Sequence, residues 1–254
     1  MSPLAPADGI ADVTVHIGVH RTGTTSLQHA LGSARPVLAD TGVTYPVGHV
    51  LPDNHLALGF ACVRPERLAE AVPFFDHLIR THAPDQPPVG DPAWPGLAQE
   101  LVDEGPTVLS TETLAWIRHD DEAEALFDVL GDTPRIVVTH RDPADFLASY
   151  HEMSRFTLLH PPDGPDSIFY TGADSWMADA EARIEFWCRH VGDERVEALD
   201  YDETMAVASS MTPVVAAAIG LDPSLVSDHA ETRLNQRSDL PTAGPGRNRK
   251  PGPG

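Results

Sequence analysis

Two residue types are close to missing from this 254-residue chain. Lysine occurs once, at Lys250, beside 16 arginines, and cysteine twice, at Cys62 and Cys188. A single lysine so near the C-terminus excludes the phosphate-binding loops that carry their own lysine. Two cysteines 126 positions apart, with no CxxC pair, exclude a disulfide framework and a cysteine zinc site. They suit two thiols in a reducing compartment. Positive charge is scarce as well: 17 Lys+Arg stand against 38 Asp+Glu, a net charge of −21. That field repels a phosphodiester backbone and argues against nucleic acid as a partner. No apolar run approaches the roughly 20 residues that cross a bilayer. The opening MSPLAPADGIAD has neither a basic nor an apolar signal region, so a soluble, cytoplasmic protein without a membrane span is expected.

What is present is globular in composition, 41% hydrophobic and 22% charged. Short β-branched runs alternate with helical patterns. Strands are expected at Val13–Ile17, Gly42–Pro46, Thr107–Thr111, Arg135–Thr139 and Arg195–Leu199. Helices are expected at Thr24–Leu38, His55–Cys62, Glu66–His82, Asp120–Leu130, from Pro143 onward, Ser175–Val191 and Glu203–Ile219. This rhythm implies one α/β domain over 1–254, three layers with helices on both faces of a mainly parallel sheet. Residues 83–96 carry five prolines and are expected to form a surface loop or lid. Residues 1–11 are expected to be a loose lead-in and 240–254 a flexible basic tail. From Arg233 onward five basic residues meet one acid, which invites an anion-binding reading.

The first strand runs into Gly18-Val19-His20-Arg21-Thr22-Gly23-Thr24-Thr25-Ser26 and then a helix. That context suits a phosphate cradle, because glycines allow close backbone approach and the helix N-terminus adds positive potential. Gly18 and Gly23 fit the pattern G-x-x-x-x-G-K-[ST], but Thr24 stands where that pattern has lysine. The charge lies at Arg21 instead. The stretch HIGVHRTGTTSLQ resembles the 5′-phosphosulfate loop of sulfotransferases that use 3′-phosphoadenosine-5′-phosphosulfate (PAPS). That family usually has lysine where this chain has Arg21, and arginine keeps the charge on a wider, forked head.

A second motif begins at the end of the 135–139 strand. Arg141-Asp142-Pro143 is followed, eight positions after the arginine, by Ser149. This resembles the same family's signature for the nucleotide's 3′-phosphate. Arg141 leaves the sheet's C-terminal edge and Ser149 lies two helical turns on, so both can face one cleft. Leu234-Asn235-Gln236-Arg237-Ser238 is a weaker echo of an N-x-S segment in bacterial members.

The resemblance implies a P-loop-NTPase-like sulfotransferase fold and a nucleotide-binding transferase that moves a sulfuryl group from PAPS to a hydroxyl acceptor. The acceptor would be a carbohydrate or small metabolite, and the product PAP. It implies no metal. Arg21 would neutralise the departing oxygen, and Thr22, Gly23, Thr24, Thr25 and Ser26 would hold the phosphosulfate. Arg141 and Ser149 would hold the 3′-phosphate. For the base that takes the acceptor proton, His55 and Glu112 are the candidates, with His20 and His49 behind them. His16/His20 and His49/His55 could be drawn as metal pairs, but neither has a third ligand at convincing spacing. Two rival readings are a P-loop kinase using ATP and Mg²⁺, and a protein that binds PAP or another anion without turnover. Trp94, Trp116, Phe169 and Trp176 are candidates to line the acceptor cleft, although such aromatics are more often core. The loops at 83–96 and 157–174 are expected to shape that cleft. Nothing in the sequence speaks to oligomeric state.

Overall fold

The computed structural model describes residues 13–102, 105–131, 133–157, 164–170, 172 and 174–227. The lead-in, the 234–238 echo and the basic tail with Arg247, Arg249 and Lys250 lie outside the described residues. Four parallel strands form the centre: β1 (Val13–Gly18), β2 (Thr107–Thr111), β3 (Arg135–His140) and β4 (Val196–Asp200), in the order β2-β1-β3-β4. The helices are α1 (Thr24–Asp40), α2 (Ala57–Cys62), α3 (Pro65–Leu68), α4 (Val72–His82), α5 (Trp94–Gln99), α6 (Asp120–Leu130), α7 (Pro143–Thr157), α8 (Ala180–Val191), α9 (Tyr201–Val207), α10 (Thr212–Ala218) and α11 (Ser224–Ser227).

Period-two alternation along the strands sorts two apolar clusters onto the two faces. Val13, Val15 and Ile17 join Leu109, Ile136 and Val138 under α2, α6 and an aromatic group of Phe60, Phe75, Trp94, Trp116 and Phe169. Val108 and Val137 face the other way, against Leu27, Leu31 and Leu38 of α1 and Val215 and Ile219 at α10. The three-layer α/β arrangement is as the sequence indicates. On the α1 side His16 spans the sheet, its two ring nitrogens 2.9 Å from Ser110 Oγ and Thr139 Oγ1. Registry pairs Gly18 with Thr139 and His140 with Asp200, so the C-terminal ends of the strands stand along one edge.

Several elements depart from the sequence expectation for identifiable reasons. Gly42–Pro46 makes a single bridge, Thr44 to Thr107, rather than a strand, and Pro46 cannot donate to a ladder. The 66–82 pattern splits at 69–71, with Pro73 in the first turn of α4, and the 203–219 pattern splits at 208–211, with Pro213 in the first turn of α10. The helix expected from Ser175 starts at Ala180, where Asp179 caps it by accepting from Ala182 N at 3.0 Å. The proline-rich 83–96 stretch is a surface loop anchored to the core at one residue. Trp94 is fully buried, its indole N–H donates to Pro88 O at 2.9 Å, and Asp76 accepts from Val89 N. Inside α1, Pro36 removes an N–H that would reach back to Gly32 O, and Arg35 Nη1 donates there instead at 3.3 Å.

Candidate active site

The residues of both loop motifs and Glu112 lie at the edge where β1, β2 and β3 end. The loop after β1 closes on itself: Thr22 Oγ1 donates to Val19 O at 2.7 Å, and Val19 N donates to Thr139 O at 3.1 Å. Arg21 has φ 70° and Gly23 φ 81°. A left-handed arginine stores strain of about 1–3 kcal/mol, a cost found where backbone amides are turned toward a ligand. Gly18 is required by packing, since a Cβ there would lie 2.0 Å from Thr24 Cγ2. Thr22 and Thr24 are buried, Ser26 is half-buried and Thr25 is exposed. Thr24, in the position of the missing lysine, hydrogen-bonds Glu112.

Glu112 ends β2 and is buried. Its Oε2 accepts from Gln28 Nε2 at 3.2 Å and from Asn54 Nδ2 at 2.8 Å. Burial pushes its pKa up. The charge of His20 and the bonds from Thr24, Gln28 and Asn54 outweigh that and hold the carboxyl below its ordinary range. Burial lowers the pKa of His20, opposed by Glu112 and reinforced by Arg21. The His20 ring stacks on Tyr150 of α7 at 5.2 Å, and its Nε2 is buried without a hydrogen-bond partner among the described residues. At neutral pH this is an ionised carboxylate beside a neutral imidazole.

The second motif reaches the same place. Arg141 Nη1 lies 3.4 Å from the Arg21 carbonyl oxygen, so the two loops touch. Its Nη2 meets Asp202 Oδ1 at 3.3 Å and Asp145 Oδ2 at 3.7 Å, and its guanidinium lies 5.2 Å from the centre of the Tyr201 ring. Arg141 Nε and Ser149 Oγ are both buried without a hydrogen-bond partner among the described residues. Buried donors are rarely left so.

His55 is engaged elsewhere, and the expectation of a base there is withdrawn. It is fully buried, its Nδ1 accepts from Ser110 N at 2.9 Å, and its Nε2 donates to Pro46 O at 3.0 Å. Burial lowers its pKa to about 4. Together with its own backbone N–H, which donates to Ser110 O at 3.2 Å, the ring covers the outer edge of β2. The Asp53-Asn54-His55 segment does reach the site, but through Asn54, one residue earlier. His49 is also engaged, its Nε2 2.7 Å from Leu97 O. Sequence reasoning missed Gln28, Asn54, Tyr201 and Asp202. The last pair could have been sought as polar residues directly after a strand, at the edge that already held both motifs.

No family model and no curated protein sequence matches this chain. Among solved structures it is similar to one described as a sulfotransferase from Alicyclobacillus acidocaldarius, with a TM-score of 0.50 over 90% of this chain and 88% of that one. The α/β fold is similar to the one in that structure. Identity to that protein is 14%, so the likeness speaks for the fold, and the chemistry rests on the geometry of this chain's own residues.

Beyond Arg141 a cavity of about 740 Å³ opens between α7, α8 and α9, lined on its acidic side by Asp142, Asp174, Asp179, Glu181, Asp202 and Glu203. None of the aromatics expected to line a cleft is among the residues lining this cavity. Trp94, Trp116 and Phe169 belong to the core, and Trp176 donates its indole N–H to Ala115 O at 3.0 Å. Among the described residues no group of three His, Cys, Asp or Glu could hold a metal ion, and no helix is long and apolar enough to cross a membrane.

Proposed function

We propose that this chain transfers a sulfuryl group from PAPS to a hydroxyl of a carbohydrate or small metabolite and releases PAP. The observation that carries the reading is the junction of the two loops. The Arg141 guanidinium reaches the Arg21 carbonyl, and Arg141 Nε and, on α7, Ser149 Oγ are buried and unmatched. Those are the two side chains that the family resemblance assigns to a 3′-phosphate, and a charge-assisted fork plus a hydroxyl is a fitting donor set for one.

PAPS brings an activated sulfuryl group; the chain's work is to hold, neutralise and deprotonate. The backbone from Arg21 to Thr25, bent by two positive φ values ahead of the 17-residue α1, suits the 5′-phosphosulfate. Arg21 supplies positive charge where negative charge develops on the leaving oxygen as its bond to sulfur breaks. The Thr22 hydroxyl is bonded to Val19 O and that of Thr24 to Glu112, so these two residues would contribute backbone amides, while Thr25 and Ser26 are the loop's more accessible hydroxyls. With His55 withdrawn, the acceptor's proton falls to Glu112 working with His20: the imidazole takes it and the ionised carboxylate stabilises the imidazolium.

The acidic lining of the neighbouring cavity favours a neutral or cationic acceptor over a sulfated one. Both cysteines, Cys62 and Cys188, are free thiols, which suits the reducing cytoplasm. A kinase has weaker support, because the residue in the Walker lysine position points its hydroxyl at a carboxylate. Incubation with PAPS and a panel of sugars, phenols and amino alcohols tests the reading, with PAP release and sulfated product as readouts. PAP binding with no product from any acceptor would replace it with a non-catalytic binder. Turnover of ATP–Mg²⁺ would replace it with a kinase.

A further inference from the structure

Both terminal nitrogens of Arg141 are already engaged by the protein. Nη1 faces the Arg21 carbonyl, and Nη2 faces the carboxylate of Asp202, the second residue of α9. The other oxygen of that carboxylate, Oδ2, accepts from Asp142 N at 2.9 Å, which moors Asp202 against the end of β3. Tyr201 supports the guanidinium from its ring face. Asp202 thus has the charge, the two oxygens and the position of an anion bound at this arginine. Nε of the same guanidinium is buried and unmatched, and so is the Ser149 hydroxyl on α7.

We propose that Asp202 is a resident counter-anion of the nucleotide site, a specificity-determining residue that a 3′-phosphate displaces from Arg141. The inference rests on the PAPS reading above and adds a residue that neither cofactor motif contains. Without Asp202, Arg141, whose side chain is only 16% exposed, would keep only the exposed Asp145 carboxylate at 3.7 Å as counter-charge. Asp202 at 38% exposure can swing toward water, while Arg141 cannot. A 3′-phosphate carries about −1.5 to −2 charges and three acceptor oxygens against one charge from Asp202, so it wins the exchange. A 3′-hydroxyl brings no charge and leaves the pair closed. The consequence is a site that holds its product PAP less tightly than the bare arginine would, and that yields Arg141 only to a ligand with a 3′ anion.

Calorimetric titration of the full chain with PAP and with adenosine 5′-phosphate, in wild type and Asp202→Asn, tests this. Asparagine keeps an oxygen for Asp142 N, and Asp202→Ser, which keeps a short acceptor in the first turn of α9, serves if the first variant folds poorly. The expected result is PAP binding tightened roughly fivefold, the upper range for a partly exposed ion pair, with adenosine 5′-phosphate unchanged. Asp145→Asn, whose carboxylate is 68% exposed and 3.7 Å from the guanidinium, should move PAP affinity by less than about twofold. Equal or weaker PAP binding in the Asp202 variants would overturn the inference and leave the nucleotide reading standing. Equal tightening for both nucleotides would overturn it too, since the gain would then be general electrostatics. PAP binding by none of these proteins would remove the nucleotide reading itself, and the inference with it.

Discussion

Replacing His55 with leucine separates a structural histidine from a catalytic one. Leucine has similar bulk but leaves Ser110 N–H buried and unbonded, and leaves Pro46 O with only its bond from Arg35 Nη2 at 3.2 Å. The orphaned N–H costs about 1–3 kcal/mol and the lost bond to Pro46 about 0.5–1.5, so the variant should be about 2–4 kcal/mol less stable at pH 7, a fall of roughly 5–15 °C in melting temperature for a chain of this size. The wild type carries a further signature. His55 has a folded pKa of about 4 against an ordinary 6.5. Between those values the unfolded chain binds a proton that the folded one does not. Stability is therefore whole above pH 6.5 and is lost as pH falls toward 4, by about 3 kcal/mol from this residue. His16, lowered to about 4 by burial as well, adds a similar loss that both proteins share. Denaturant unfolding from pH 7.5 to 4 should thus show the wild-type and His55→Leu curves converging on acidification, with PAP affinity equal at pH 7.5. Parallel curves, or a normally stable variant that has lost only turnover, would refute the structural assignment and restore His55 as a base.

Other outcomes follow from the same geometry. Glu112→Gln sets an amide among the donors of Thr24, Gln28 and Asn54 and should cost about 1–3 kcal/mol at neutral pH in thermal unfolding, while flattening the acid loss below the ordinary carboxylate range. His20→Asn should spare PAP binding and depress sulfuryl transfer about 10²-fold or more, read as kcat at saturating PAPS. Trp94→Ala, which empties a core position in the proline-rich stretch, should cost about 3–5 kcal/mol by chemical denaturation; a mobile lid there would tolerate it.

The parts of this fold that were legible in the sequence are those fixed by local rules. β2 and α6 fall on the expected residues because a buried five-residue β-branched run and an acidic first turn have few alternatives. The two phosphate-type motifs were legible because each sits at a strand end. Two expected helices each merged a pair across 69–71 and 208–211, where Pro73 and Pro213 lie in the first turns of new helices rather than interrupting old ones. His55 was misread because spacing cannot tell which of two neighbours faces the site. The turn at 51–54 presents Asn54 to Glu112 and sends His55 to the sheet edge. Asp202 was invisible for a different reason: its partner, Arg141, lies 61 positions away, across the β3–β4 pairing.

The central claim is that Arg141 and Ser149 await a 3′-phosphate, and thermal stabilisation by PAP tests it most directly. A ligand at 100 times its dissociation constant adds about 2.7 kcal/mol to the native state, a rise of roughly 5–10 °C here. The account predicts that rise with PAP, no change with Mg²⁺, and its loss in Arg141→Ala. A rise with ATP–Mg²⁺ and none with PAP would contradict it.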